Sequence, residues 1–152
     1  MTISLKPLDR EDKDGWLELW QGFLENYGEN ALAHLTFSTF DKLVTKEHPL
    51  RSRIALDENQ RIVGFIHYFL HDSTWQTRES CFIEDLYVAK DMRRQGIGRQ
   101  LLDDVARVAG INRWSRMYMA VPGSDETALS FLNVFLKKKT GLSLITNFDM
   151  II

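Results

Sequence analysis

The stretch Cys81-Phe82-Ile83-Glu84-Asp85-Leu86-Tyr87-Val88, followed by Arg93-Arg94-Gln95-Gly96-Ile97-Gly98-Arg99, decides how this chain folds. The first run is apolar and strand-like. The second is a basic loop with two glycines, and it opens a helix-like segment that carries Leu101, Leu102, Val105, Val108 and Ala109. Strand, glycine loop and helix N-terminus together make a physical recipe for holding a diphosphate. The first N–H groups of a helix lack intrahelical partners and sit at the positive end of its dipole. Gly96 and Gly98 have no Cβ, so backbone and anion can approach closely. Arg93, Arg94 and Arg99 add positive charge on the same side. The spacing is not G-x-G-x-x-G, nor G-x-x-x-x-G-K-S/T, which disfavours a Rossmann fingerprint and a nucleoside-triphosphate P-loop. The competing reading of the loop alone is a basic surface turn that caps an amphipathic helix.

Outward from this centre, the pattern reads as one domain spanning residues 1–152. Ile3 and Leu5 suggest a short strand ending at Pro7. Asp9 is placed to cap a helix whose Trp16, Leu19, Trp20, Phe23, Leu24 and Tyr27 recur at helical spacing, with Gly28 as its stop. Ser38 to Glu47 reads as a second helix. Strands at Arg53–Leu56 and Arg61–Leu70 flank the turn Asp57-Glu58-Asn59-Gln60 as a hairpin. The helix that starts at Ile97 is expected to end at Ala109, before Gly110. A strand containing Met117, Met119 and Val121 follows. Then come a helix from Glu126, capped by Ser124 or Asp125, and a last strand beginning near Leu142. The order predicts an α/β fold: a mixed central sheet with helices on both faces.

A chain of 152 residues with formal net charge −2 can bury a real core, and it lacks the basic excess of a dedicated nucleic-acid binder. Its one cysteine, Cys81, excludes an intrachain disulfide and reads as a small core residue. No apolar run approaches the ~20 residues needed to cross a bilayer. The acidic N-terminus lacks a signal-peptide pattern. The expectation is a cytoplasmic protein with no membrane or nucleic-acid partner and no metal site. Lys137, Lys138 and Lys139 read as a solvated helix end.

The span Cys81–Ala109 resembles the acetyl-CoA-binding core of the GNAT superfamily of N-acetyltransferases, whose loop pattern Arg/Gln-x-x-Gly-x-Gly/Ala is met by Arg93, Gly96 and Gly98. The run FIEDLYV…RRQGIGRQLL looks most like the spermidine/spermine and the histone/polyamine acetyltransferases, and Asp12–Tyr27 and Ile62–Trp75 resemble the latter group. The resemblance covers most of residues 1 to 130. It implies the GNAT fold and acetyl-CoA as cosubstrate, held by Arg93, Arg94, Gln95, Gly96, Ile97, Gly98 and Arg99. It also implies that main-chain groups of Leu86, Tyr87 and Val88 meet the pantetheine arm and the thioester oxygen. The acceptor would be a primary amine: a polyamine, another small amine, or a basic peptide or lysine.

An ammonium must lose a proton before it can attack, and Glu84 is the candidate base. A carboxylate in an apolar strand has its pKa raised by burial, and the family's Glu-Asp pair matches Glu84-Asp85. By strict alternation Glu84, Leu86 and Val88 share one strand face, and Asp85 and Tyr87 the other. The competing role for Glu84 is a salt bridge at a sheet edge. Glu25, Glu29, Asp72, Tyr27 and Trp75 are further candidates for receiving a cation. The chain departs from the family in its last long helix. There N-x-x-A-x-x-x-Y is replaced by Asp125, Ala128 and Leu132, so the usual tyrosine acid is missing. Tyr87 or Tyr118 would replace it only if a hydroxyl reached the sulfur. An acyl-CoA-binding module with weak or lost catalysis is therefore the alternative. Relatives are often homodimers, and the apolar end Met150-Ile151-Ile152 would suit a shared strand edge.

Overall fold

The computed structural model describes residues 2–26, 28, 33–121, 125–136 and 142–145. In chain order the elements are β1 (Ser4–Pro7), α1 (Lys13–Glu25), α2 (Thr36–Val44), β2 (Leu50–Leu56), β3 (Ile62–His71), β4 (Ser80–Val88), α3 (Ile97–Asn112), β5 (Arg116–Ala120), α4 (Glu126–Leu136) and β6 (Leu142–Ile145). The strands form one sheet in the order β1-β2-β3-β4-β5-β6. The first four are joined antiparallel, while β4–β5 and β5–β6 are parallel.

Local chemistry explains the boundaries. Asp9 and Asp12 form a capping box on a single 3-10 turn that leads into α1, and Lys6 Nζ bridges both carboxylates at 3.0 and 2.8 Å. The β2–β3 turn is held by Asp57, whose carboxylate accepts from the N–H groups of Asn59 and Arg61. Asp125 caps α4 by accepting from the Ala128 N–H at 3.0 Å.

Each sheet face has its own core. On one, α1 and α2 pack Trp16, Trp20, Phe23 and Phe40 against Ile54, Phe65 and Tyr87. The other packs Leu101, Leu102 and Val105 of α3 and Leu132 of α4 against Ala55, Ile66, Cys81, Ile83 and Met117. The sheet is thus covered on both faces. Cys81 is fully buried, and desolvation pushes its thiol up to about 12, as befits a packing residue.

Several boundaries differ from the sequence reading. The third helix runs through Gly110 to Asn112, because the left-handed residue that stops it is Arg113 (φ 56°). Trp114 then folds back, its N–H donating to the Ala109 carbonyl at 3.0 Å. β2 begins at Leu50, because Leu50 and Arg51 pair with Phe69 and Tyr68 despite an alternation that fades there. α2 begins at Thr36, whose hydroxyl receives the Trp20 indole N–H at 3.0 Å. Tyr27, Glu29, Ser124, Lys137–Lys139 and Met150–Ile152 lie outside the described residues.

Arg53 of β2 is ion-paired with Asp104 of α3, and Arg107 donates to the same carboxylate at 2.8 Å. The Arg53 and Asp104 side chains are only 11% and 6% exposed. Removing Arg53 leaves the buried Asp104 carboxylate with only the exposed Arg107 as its cation among the described residues. Arg53→Ala is expected to cost about 3 kcal/mol in urea unfolding. Arg53→Met combined with Asp104→Leu should recover most of that loss.

Candidate active site

The site begins where two strands part. β4 and β5 pair from Ser80–Arg116 to Ile83–Met119 and then stop, yet β4 continues to Val88. Among the described residues, no strand pairs with the far side of residues 84–88. Antiparallel pairing decides which groups face that opening, because alternate residues turn both main-chain groups to the same neighbour. The Ala89 N–H donates to the Val63 carbonyl across β3 at 2.9 Å, so Tyr87 turns toward β3 as well. Leu86 and Val88 turn toward the opening. Tyr87 contributes its ring instead, buried on the α1 face, with its hydroxyl beside Gly22, where a Cβ would come within 2.9 Å of it.

The loop after β4 is built around left-handed backbone at Arg94 (φ 64°) and Gly96 (φ 80°). Gly96 is the N-cap of α3 and makes no side-chain cap. The Gln100 N–H closes the first helical turn onto the Gly96 carbonyl at 3.0 Å. That leaves the N–H groups of Ile97, Gly98 and Arg99 as the unpaired donors of a helix N-terminus. A Cβ on Gly96 would meet nothing within 4 Å, so the space above the cap is open. Gly98 lies against Phe131, Val88 and Leu86, a surface a Cβ would reach at 3.5–3.9 Å. The cradle therefore suits an anion with an arm running back along β4.

The arginines do not act together. Arg93 folds back: its Nε–H donates to the Val88 carbonyl at 2.9 Å, and its guanidinium lies over the Tyr87 ring at 5.2 Å. Arg99 faces Asp103 one turn along, at 3.8 Å. Arg94 and Gln95 are exposed at the tip of the loop.

Glu84 sits at an irregularity that strict alternation does not anticipate. His67 pairs with Asp85 and Tyr68 with Ile83, so Glu84 is the extra residue of a β-bulge. The bulge switches the faces of β4. Cys81 and Ile83 before it pack with α3, as do Leu86 and Val88 after it, while Asp85 and Tyr87 face α1. The Glu84 pKa is raised, first by desolvation and then by the adjacent Asp85 charge. The residue itself still reaches solvent.

Two histidines escaped the sequence reading. His67, 2% exposed, lies 2.9 Å from Asp85 through Nδ1 and accepts the Trp16 indole N–H at Nε2. Its signal was a lone polar side chain in the apolar run Ile62–Leu70. His71 Nδ1 lies 2.8 Å from the Asp72 carbonyl, so that nitrogen carries the proton, and Nε2 accepts from the Tyr118 hydroxyl at 2.6 Å. The Tyr87 and Tyr118 hydroxyls are thus turned to Gly22 and His71. Leu132 is 2% exposed in the α3 core. Of the cation-receiving candidates, Glu25 lines a shallow recess with Glu18, Gly22 and Tyr87, and Trp75 is 90% exposed. Among the described residues no cluster could hold a metal ion, and no helix is long and apolar enough to cross a membrane.

Known proteins resemble this chain in sequence and in fold. The chain is 33% identical over 107 residues to a D-amino-acid N-acetyltransferase of Saccharomyces cerevisiae, covering 68% of this chain and 65% of that protein. A thialysine N-epsilon-acetyltransferase of Mus musculus is 32% identical over 107 residues, covering 70% and 56%. The chain thus spans less than two thirds of the length of these curated relatives. In fold, a possible acetyltransferase from Clostridium difficile 630 superposes with TM-score 0.80 over 99% of this chain and 95% of that one, at 16% identity. An aminoglycoside acetyltransferase from an uncultured soil metagenomic sample gives 0.76 over 99% and 96%, at 21% identity. The model of the acetyltransferase (GNAT) family matches residues 14–134, a span holding the parted strands, the bulge and the glycine loop, and the chain belongs to that family.

Proposed function

We propose that this protein is an acetyl-CoA-dependent N-acetyltransferase that moves an acetyl group to a primary amine. The observation that carries the reading is the parting of β4 from β5 after Ile83, with the freed end of β4 leading through the glycine loop to the N-terminus of α3, where Gly96 offers no side-chain cap. Acetyl-CoA supplies an activated thioester. Ile97, Gly98 and Arg99 would bind its diphosphate through their main-chain N–H groups. Leu86 and Val88 would pair with its pantetheine arm, and an N–H there would polarise the thioester oxygen. Arg93 holds the Val88 carbonyl in the present arrangement and would have to yield it to such an arm. Glu84 takes the proton of the incoming ammonium, directly or through water, and its raised pKa suits that task.

The acceptor class we infer is a small amine, a polyamine, or a basic peptide or lysine. The acidic pair Glu84-Asp85 supports it, as do relatives named for acetylating D-amino acids and thialysine. A reducing, cytoplasmic setting accords with the free buried thiol of Cys81. The homodimer is proposed on family resemblance, and sedimentation of the purified chain tests it. One observation favours a second reading, an acyl-CoA-binding module: Leu132 is buried at the position where the family resemblance implies a tyrosine.

Calorimetric titration with acetyl-CoA should show micromolar binding. Free-thiol release should then rise when amines are added, and binding without release across a broad amine panel would favour the module. Glu84→Gln should leave acetyl-CoA affinity nearly unchanged and lower turnover roughly 10²–10⁴-fold near neutral pH. The sign follows from the raised pKa: wild-type activity falls as acid protonates Glu84, and the variant's deficit shrinks at alkaline pH, where free amine is abundant. Gly96→Val should abolish acetyl-CoA binding in a chain that remains folded by circular dichroism. A branched Cβ is strained at φ 80° and projects into the open space above the cap.

A further inference from the structure

The acidic pair in the bulge is tied to the α1 core by a chain of hydrogen bonds through the buried His67. Trp16 of α1 donates its indole N–H to His67 Nε2 at 3.1 Å, and His67 Nδ1 meets Asp85 Oδ2 at 2.9 Å. An indole nitrogen only donates. His67 Nε2 therefore carries the lone pair, and the single ring proton sits on Nδ1 and is donated to the Asp85 carboxylate. The imidazole is held in that orientation by Phe65, stacked flat on it at 4.2 Å with an interplanar angle of 2°.

We propose that Trp16, His67 and Asp85 form a positioning relay that fixes Asp85 as a negative charge and keeps a second proton off His67, so that Glu84 is the carboxylate left to accept a proton. This deepens the acetyl-transfer reading and rests on it. A neighbouring anion disfavours the ionised form of a carboxyl, and a neighbouring cation favours it. From β4, Asp85 acts on Glu84 in the first sense. From β3, a protonated His67 would act in the second. Among the described residues, α1 brings the neutral rings of Trp16 and Trp20 against His67. On β5, which leaves β4 after Ile83, the Tyr118 hydroxyl is bound to His71 of β3. The Trp16 N–H thus preserves the basicity of Glu84 by occupying the nitrogen that would otherwise take a proton. In the step itself the ammonium N–H bond breaks, a Glu84 O–H bond forms, and the electron pair stays on nitrogen.

The test is a carbon-13 NMR titration of the Glu84 carboxyl in the full unliganded chain, run beside a pH profile of kcat/KM with a small primary amine. Asp85→Asn keeps an oxygen to accept the His67 Nδ1–H but removes the charge. The Glu84 midpoint should fall by about half to one pH unit, and the acid limb of kcat/KM should move with it. Trp16→Phe frees His67 Nε2 and should also lower the midpoint. Nitrogen-15 NMR of the wild-type chain near neutral pH should show Nε2 unprotonated. A purely structural role would lower thermal stability and leave the Glu84 midpoint unmoved. An unmoved midpoint in folded Asp85→Asn, or a protonated Nε2 in the wild type, overturns the proposal. Shifted midpoints without turnover on any amine would instead count against acetyl transfer.

Discussion

The architecture turns on one departure from sheet regularity: β4 outlasts its pairing with β5 by five residues, from Glu84 to Val88. Main-chain N–H and C=O groups inside a protein need partners, and a strand left open on one side offers them to something else. Here one is met by the protein itself, because Arg93 reaches back to the Val88 carbonyl. On the acetyl-transfer reading, the strand with open groups would serve hydrogen bonds and the helix N-terminus after the glycine loop would serve negative charge. Neither part alone would specify a long ligand with an anionic middle.

The bulge at Glu84 solves a second problem at the same place. A strand buried on both faces has no room for a carboxylate, since burying a charge without a partner is costly. One extra residue leaves Glu84 outside the ladder with β3 and returns the next apolar pair, Leu86 and Val88, to the α3 core. It also aims Asp85 at His67. Without the bulge, strict alternation would set Asp85 and Tyr87 on the same face as Cys81 and Ile83, among the aliphatic side chains of α3.

The element order was legible in the sequence because each element has its own local cause. Asp9 and Asp125 supply caps, the α1 aromatics repeat at helical spacing, and Asp57 makes a turn of its own. The glycine loop was legible for the same reason: backbone freedom at Gly96 is a local property. The long-range features were not. A bulge is a relation between two strands, and nothing in Glu84-Asp85 alone says which residue β3 will skip. His67 gains its meaning only from Trp16, 51 positions away, and Asp85, 18 away. Helix ends fell between these cases. Arg113 stops α3 in the left-handed conformation that glycine adopts more cheaply, so Gly110 drew the boundary inward.

On the acetyl-transfer reading, the missing tyrosine and the elaborate acid pair belong to one argument. A lysine-type ammonium has a pKa near 10.4, so at pH 7 only about one molecule in 10³–10⁴ carries the free lone pair. A thiol has a pKa near 8.5 and leaves as thiolate only about one and a half units above neutrality. The proton that must be removed is therefore the larger obstacle, and the proton that might be supplied is the smaller one. The placement of side chains follows that ranking. The base is set in a bulge with a charged neighbour and a buried relay behind it, while the α4 position that could hold an acid is given to the core as Leu132. A tyrosine there would add bulk to a close-packed layer and need a partner for its hydroxyl. The neighbouring Phe131 closes over Gly98 instead, so α4 shapes the mouth of the cradle and leaves proton transfer to the opposite face of the sheet.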